Sequence, residues 1–297
     1  MLRRGVFALL CCLWPAFARG DAVLTGWMTN PALDEVSGMA ASRAHPGVLW
    51  VENDSGNPAD VYAVSPGGSL LATLHVDGVP NIDWEDFASF DLDGRHYLLV
   101  SDAGDNGGIR KTLALHVFEE PTELRDAHVK PAWSIAFRWP DGPRDCEAVA
   151  VDARTASVLL VTKKRVPAQL FRLPLRPTPG GMATAELLGT LNGIPQPTPD
   201  EIAAAPHYAK YLSQVTAIDL APDRGSMAVL TYRRAYLYRR APNEDWAQAV
   251  AHAPVQLSFG WLPQAEALAF ARDGRSVYIS GEHLPAPIMQ VDLPASH

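Results

Sequence analysis

Cysteine is scarce in this chain of 297 residues, which has three, and two of them, Cys11 and Cys12, lie in an N-terminal segment that we expect to be removed. Only Cys146 then remains, and one thiol cannot form an internal disulfide. Its neighbours Asp145 and Glu147 would raise a thiol pKa rather than lower it, which disfavours a nucleophilic role. The sequence therefore predicts that Cys146 is a small packed side chain.

A long apolar run is also lacking. Arg3 and Arg4 precede the run GVFALLCCLW, and the small-x-small signal Ala16-Phe17-Ala18 follows it. The run is shorter than the ~20 apolar residues that cross a bilayer. We therefore expect residues 1–18 to be a signal peptide, the product to be exported, either periplasmic or secreted, and no transmembrane segment to remain after cleavage.

An excess of basic residues is missing as well. The formal net charge is −8, and cleavage removes two arginines and no acids, which leaves 25 − 2 = 23 basic against 33 acidic residues. This balance argues against a general nucleic-acid binder. No Cys-x-x-Cys or His-x-x-x-His spacing indicates zinc, and no Gly-x-Ser-x-Gly elbow indicates a serine hydrolase.

What the chain does contain is a short phrase that recurs five times at intervals of 48, 62, 69 and 50 residues. Each copy has an oxygen-bearing residue, then a small or polar residue, then a large apolar one. The first positions are Ser37, Glu85, Glu147, Thr216 and Glu266. Two residues earlier lie Glu35, Asp83, Asp145, Gln214 and Gln264. A repeat of this length is typical of solenoids and propellers, and around one axis these residues would form two stacked rings of oxygen atoms.

Around each copy the sequence reads as about four short strands separated by turns. The last repeat lacks one strand. Residues 22–29, which precede the first repeat, read as an additional strand that belongs to no repeat. We therefore predict an all-β protein, a five-bladed β-propeller over residues 22–297, closed by an N-terminal outer strand. A six-bladed alternative would need a sixth copy of the phrase, which is not found. The outer strand of repeat four is predicted near AQAVAHA, residues 247–253.

Residues 194–213 form an insertion between repeats three and four, and we expect it to cover the channel mouth as a functional lid or as a tolerated loop. The ends of the second strands should open on the same face. Repeats one, two and five supply mainly acids and amides there, namely Asn53, Asp54, Asp102, Asp105, Asn106 and Glu282. Repeats three and four supply the bases Lys163, Lys164, Arg165, Arg233 and Arg234.

Carboxylates that converge on a narrow channel repel one another, and a cation relieves that repulsion. Oxygen ligands favour calcium, or magnesium with more water. The candidate calcium ligands are Glu35, Asp83, Glu85, Asp102, Glu147 and Glu266. The alternative is a structural network in which these carboxylates cap strands or pair with arginines.

The candidate ligand-binding residues are Asn53, Lys163, Arg233 and Glu282. They suit an anionic small molecule with a phosphate or carboxylate group, or a partner in the cell envelope. Two functions stay open. The first is a calcium-binding protein that recognises a ligand; the second is a calcium-dependent hydrolase of a phosphate ester or lactone, with Glu85 or His283 moving the proton.

The phrases DEVSGMAAS with LWVEND, and DWEDFASFD with YLLVSDAGDN, resemble the SdiA-regulated (YjiK-like) bacterial propeller family. They are also similar to the esterase-like phytase propellers and, more distantly, to the gluconolactonase and paraoxonase group. The first resemblance covers most of residues 33–292 and implies a five-bladed propeller, export and a calcium site, with no established reaction. The residues that match its phrases are Glu35, Ser37, Asp83 and Glu85.

Overall fold

The computed structural model describes residues 22–295, and the chain folds into five antiparallel blades arranged around a central channel. The predicted five-bladed β-propeller is therefore confirmed. The predicted signal peptide, residues 1–18, lies outside the described residues. Within residues 22–295, no helix is both long enough and apolar enough to cross a membrane.

The blades follow one another in chain order, and the four main strands of each blade are named from the channel outwards. Blade one contains β2 (Val36–Ala41), β3 (Leu49–Asn53), β4 (Asp60–Val64) and β5 (Leu70–Val76). Blade two contains β6 (Trp84–Leu92), β7 (Arg95–Asp102), β8 (Leu113–Glu119) and β10 (Trp133–Arg138). Blade three contains β11 (Cys146–Asp152), β12 (Ser157–Thr162), β13 (Gln169–Pro174) and β15 (Glu186–Thr190). Blade four contains β16 (Val215–Leu220), β17 (Ser226–Thr231), β18 (Ala235–Arg239) and β19 (Val255–Leu257). Blade five contains β20 (Ala265–Phe270), β21 (Ser276–Gly281), β22 (Ala286–Asp292) and, outermost, β1 (Ala22–Met28).

The ring closes through β1, which pairs antiparallel with β22, with Ala22 opposite Val291 and Met28 opposite Ala286. The predicted closing strand is thus confirmed. Gly26 lies against the backbone of Gly67 in the β4–β5 turn so closely that no side chain would fit there. The N-terminal strand therefore joins blade five to blade one as well as covering an open sheet edge.

Two short strands were not foreseen from the sequence. The connection within blade two contributes β9 (Ala127–Val129), which pairs in parallel with β5 of blade one. A segment of blade three likewise contributes β14 (Ala183–Thr184), which pairs in parallel with β10 of blade two. Both segments cover the outer edge of the preceding blade and so attach neighbouring blades to each other.

The predicted outer strand at residues 247–253 was wrong. That stretch begins with the short helix α2 (Trp246–Ala249), and β19 follows it as the outer strand. Asp245 caps the helix by accepting from the backbone N–H of Gln248, and the Gln248 side chain accepts in return from the backbone of Asp245. This reciprocal cap, in a run rich in alanine, outweighs strand pairing there.

The core lies between the blades. The large apolar residue of each repeat phrase is buried with at most 1% of its surface exposed; these residues are Met39, Phe87, Val149, Ile218 and Leu268. The inner strands β2, β6, β11, β16 and β20 contact their neighbours around the ring. They therefore form the wall of the central channel, and the same repeat phrase that fills the core also positions its first residue at the channel.

Candidate functional site

A β-bulge occurs at the same place in all five inner strands. The pairing register skips one residue in each, at the first position of the repeat phrase: Ser37, Glu85, Glu147, Thr216 and Glu266. A bulge leaves its extra residue outside the ladder and turns its side chain away from the regular alternation. The five bulges explain how the ring predicted from the repeats is directed to the channel.

The two hydroxyl residues of this ring bind neighbouring blades. Ser37 donates its hydroxyl to the Glu85 carbonyl at 2.8 Å, and Thr216 donates to the Ala265 carbonyl at 2.7 Å. The three glutamates lie close together instead. Lys163 Nζ contacts Glu147 directly and lies 4.0 Å from Glu266 Oε1. The carboxylates of the ring are therefore gathered at the channel rather than spread around the rim.

Two groups of carboxylates share Glu85. One comprises Asp54, Asp83 and Glu85, and the other comprises Glu85, Asp145 and Glu147. Within each group, one oxygen atom of every residue lies within 4.8 Å of the others. We refer to these five residues together as the hub carboxylates. Acidic groups with this spacing and oxygen-only chemistry suit a hard divalent cation.

Three of the six predicted metal ligands, Asp83, Glu85 and Glu147, belong to the hub carboxylates. The other three lie outside both groups. Glu35 accepts from Asn57 Nδ2 at 2.7 Å, Asp102 accepts from Arg110 Nη2 at 2.6 Å, and Glu266 accepts from the Tyr232 hydroxyl. Asp54, which the sequence placed at the channel mouth, and Asp145, which lies two residues before Glu147 in the repeat, complete the groups.

Burial governs the electrostatics of the hub. Desolvation, followed by the charge of Glu147, raises the pKa of Glu85 well above its ordinary value, although Lys163 opposes the shift. Desolvation likewise raises the pKa of Glu147, with Lys163 again opposing. The pKa of Asp54 is raised to about 6, mainly by burial. The folded chain thus holds several carboxyls that resist ionisation unless a positive charge joins them.

Some of these oxygen atoms have no protein partner. Glu85 is 3% exposed and Glu147 2% exposed. Among residues 22–295, no hydrogen bond reaches Glu85 Oε1 or Glu147 Oε2. A buried acceptor without a partner is costly, and such groups in a folded protein call for an explanation such as an ion or a water molecule.

Glu52, which the repeat phrases did not indicate, lies in the buried strand β3 and has no partner for either oxygen in the described chain. Burial raises its pKa well above the ordinary value. It pairs across the bulge with Gly38, and a Cβ on that glycine would lie 2.6 Å from Glu52 Oε1. The sequence feature that could have indicated Glu52 is a glutamate within a mostly apolar strand. It is paired with Gly38, the one glycine among the five repeat phrases.

The loop that follows β7 backs the hub carboxylates. Gly104 packs so tightly against Glu85 and Asp83 that a side chain there would collide with both. The next residue, Asp105, donates its backbone N–H to Asp145 Oδ1 at 2.8 Å. The loop therefore fixes one carboxylate by a hydrogen bond and leaves room beside the others.

Lys163 is the buried cation of the hub. Burial acts to lower its pKa, but the charges of Glu147, Glu266 and Glu85 outweigh burial, and the pKa is raised. The ammonium group also lies 5.3 Å from the centroid of the Tyr232 ring. Lys163 therefore remains charged at neutral pH and neutralises only part of the acidic hub.

A cavity of about 430 Å³ adjoins the hub. Its wall combines lysines, amides and aromatic rings: Asn106, Lys163, Lys164, His207, Tyr208, Tyr211, Gln214, Tyr232 and Gln264. Three of these residues come from the 194–213 insertion, which contains helix α1 (Pro199–Ala204) and a 3-10 turn (Ala209–Tyr211). The insertion thus forms part of the wall of a chamber beside the hub carboxylates.

The predicted ligand-binding residues differ in their surroundings. Lys163 lines the cavity, whereas Asn53 donates to the Ala32 carbonyl at 2.8 Å. Arg233 forms an ion pair with Glu201 of helix α1, and this pair ties the insertion to blade four.

Glu282 accepts a hydrogen bond from Gln264, which lines the cavity. The pKa of Glu282 is raised to about 10, mainly by burial and then by its hydrogen bond with Glu266.

Cys146 is buried, and burial raises the pKa of its thiol to about 12. Its sulfur donates to the Val161 carbonyl at 3.3 Å. The prediction that Cys146 is a small packed side chain is therefore confirmed.

Comparison with known proteins supports the fold and leaves the reaction open. No protein-family model matches the chain, and no curated protein sequence matches it. Solved structures do resemble it, among them the crystal structure of glutaminyl cyclase from Myxococcus xanthus, with a TM-score of 0.51 and 12% sequence identity. That alignment covers 92% of this chain and 97% of the other. The chain is thus a β-propeller with a distant structural neighbour that is named as an enzyme.

Proposed function

We propose that this chain is an exported protein that binds calcium at the hub carboxylates and recognises an anionic small molecule in the adjoining cavity. The observation that carries the proposal is the pair of buried carboxylates, Glu85 and Glu147, each with an oxygen atom that no described protein group satisfies. Export is proposed from the sequence of residues 1–18 alone.

The donor chemistry supports calcium over other metals. All five hub carboxylates offer oxygen, and no histidine or cysteine belongs to either group. Calcium takes six to eight oxygen ligands in flexible geometry, whereas zinc prefers nitrogen and sulfur and magnesium demands a tighter octahedron. A divalent cation would also offset the desolvation, and the repulsion from neighbouring carboxylates, that raise the pKa values of Glu85 and Glu147.

The cavity supports an anionic ligand that carries a flat or ring-shaped portion. Lys163 and Lys164 border the cavity on the hub side, where a phosphate or carboxylate could bridge the cation and an ammonium group. Tyr208 and Tyr211 offer aromatic surface from the insertion, and Gln214 supplies an amide. A wall that combines aromatic rings with charged and amide groups that can fix a ligand's orientation is compatible with a small-molecule site.

A calcium-dependent hydrolase of a phosphate ester or lactone is the second candidate, favoured by the raised pKa of Glu85 next to the cavity lysines. When bound, calcium would polarise the scissile oxygen and activate water. In this mechanism, Lys163, which lines the cavity, holds the anion, and Glu85 moves the proton. Fold likeness to glutaminyl cyclase assigns no reaction to this chain, because one fold hosts many activities.

Calorimetric titration of the mature protein with calcium tests the metal proposal. We expect binding in the wild type, a loss of affinity in Glu85→Gln, and unchanged affinity in Glu123→Gln, whose side chain is exposed and belongs to neither carboxylate group. Equal affinity in all three proteins would reject the hub as the calcium site.

Turnover separates the two functions. The wild type is incubated with phosphate monoesters, lactones, aryl esters and an N-terminal glutaminyl peptide, with calcium and with chelator. Chelator-sensitive hydrolysis that is lost in Glu85→Gln would replace the binding function by the hydrolase. Cyclisation of the peptide would reject both candidates in favour of the neighbour's reaction. Calcium-dependent binding of a phosphate or carboxylate compound without turnover is the result that the first proposal expects.

A further inference from the structure

Two histidines face each other on the outer edge of blade one, away from the hub. His75 on β5 and His128 on β9 are direct partners in the parallel strand pair. Their ring centroids are 4.9 Å apart, with 37° between the ring planes. The side chains are 46% and 69% exposed, so both imidazoles are accessible from solvent.

Each imidazole is oriented by a carboxylate. His75 Nδ1 lies 2.7 Å from Asp60 Oδ1, and His128 Nδ1 lies 2.9 Å from Asp77 Oδ1. A carboxylate only accepts, so Nδ1 carries the proton in each neutral ring and Nε2 keeps its lone pair. A histidine that binds a metal through Nε2 is usually supported by a carboxylate that accepts from Nδ1, because this hydrogen bond fixes the ring and makes Nε2 more basic.

The spacing of the two rings is compatible with both binding one ion. Zinc binds imidazole nitrogen at about 2.0–2.1 Å, and with a tetrahedral angle between the two bonds the centroids of the rings lie about 5 Å apart. The observed separation is 4.9 Å. Within residues 22–295, neither Nε2 is engaged by a protein hydrogen bond, since the hydrogen bonds of both rings are made at Nδ1.

We propose that His75 and His128 form a binding site for a transition-metal ion such as Zn²⁺, with water in the remaining positions. The site is independent of the hub, since imidazole selects zinc, nickel or copper, whereas the hub carboxylates select hard cations. It also has a structural consequence. A metal held by both rings joins β9, which belongs to the connection within blade two, to the outer strand of blade one.

The mature chain offers a matched control. His96 is 45% exposed, and its Nδ1 lies 2.6 Å from Asp91 Oδ1, which repeats the supported imidazole without a facing histidine in the described part of the chain. We would titrate Zn²⁺ into the wild type and into His75→Ala, His128→Ala and His96→Ala by calorimetry, with calcium in excess to saturate the hub. Melting curves without zinc confirm that each variant is folded.

We expect His75→Ala and His128→Ala each to weaken zinc binding by more than about tenfold, and Asp60→Asn to weaken it by about tenfold while the ring remains. His96→Ala should bind as the wild type does. In the wild type and in His96→Ala, but not in His75→Ala or His128→Ala, zinc should slow hydrogen exchange of the backbone amides in residues 127–129. Zinc affinity that is the same in His75→Ala as in the wild type would mean an adventitious ion only and would overturn the proposal, as would an equal loss in His96→Ala.

Discussion

Replacing Glu85 by glutamine should raise stability without calcium and remove most of the stabilisation that calcium gives. Glu85 belongs to both carboxylate groups, is buried, and has an oxygen without a partner in the described chain. Without calcium, its charge is unfavourable there, because desolvation and then Glu147 raise its pKa. Glutamine keeps the shape, removes the charge and presents an N–H to the neighbouring carboxylates. The variant should therefore be more stable than the wild type when no calcium is present.

The sizes of the two effects follow from general magnitudes. Satisfying a buried polar group that lacked a partner is worth about 1–3 kcal/mol. Calcium at a hundred times its dissociation constant adds about 2.7 kcal/mol to the wild type. In a large domain each kcal/mol moves the melting temperature by about 2–4 °C, so calcium should raise it by about 5–10 °C. Glu85→Gln should lose most of that rise because both carboxylate groups lose a shared ligand.

The assay is thermal unfolding of both proteins at neutral pH, with chelator and with millimolar calcium, alongside Glu123→Gln as the exposed control. The expected pattern is that the variant melts higher than the wild type with chelator and gains much less than the wild type from calcium. A variant that shows the full calcium shift of the wild type would refute the role of Glu85. A variant that is less stable under both conditions, with no change in the calcium shift, would favour a purely structural carboxylate.

Three further predictions concern the hub and the closure of the ring. Asp54, Glu85 and Glu147 have raised pKa values in the folded chain, so the native state binds more protons than the unfolded state above their ordinary pKa values. For Asp54, this difference in bound protons extends from pH 3.8 to about pH 6. The unfolding free energy without calcium should therefore fall as the pH rises from about 4 to about 6 in denaturant titrations, and a rise over that range would contradict the raised pKa of Asp54. Gly104→Ala should collide with Glu85 and abolish the calcium shift, whereas Gly107→Ala, with only ordinary contacts, should retain it in the same melting assay. Gly26→Ala should lower stability by about 1–3 kcal/mol in denaturant titrations because it pushes the closing strand off blade one, while the neighbouring Gly67→Ala should cost much less; equal losses would contradict the closure contact.

The fold could be predicted from the repeat phrase. Its five copies marked the inner strands, and the unpaired strand at residues 22–29 indicated how the ring closes. Helix α2 was not predicted. Asp245 and Gln248 form a reciprocal cap that is recognisable in the sequence, but the stretch was predicted to be a strand. In AQAVAHA, alanine alternates with other residues, and this pattern fits a strand as well as a helix because alanine is accommodated in both.

The candidate site was only partly readable. The sequence brought Asp83, Glu85 and Glu147 together, since they hold equivalent places in the repeat. It could not show that Lys163 pairs with Glu147 or that Arg233 pairs with Glu201, because those contacts depend on the paths of loops between strands. Nor does alternation predict the five bulges, which direct side chains away from the regular pleat.

The most direct test of the account is a crystal structure of the protein grown with calcium, with the anomalous signal of the ion used to locate it. We predict one or two peaks among Asp54, Asp83, Glu85, Asp145 and Glu147, with carboxylate oxygens about 2.3–2.6 Å from each peak. Crystals grown at millimolar calcium with no peak there, and with Glu85 and Glu147 bonded only to protein or water, would contradict the proposal that the hub holds a metal ion.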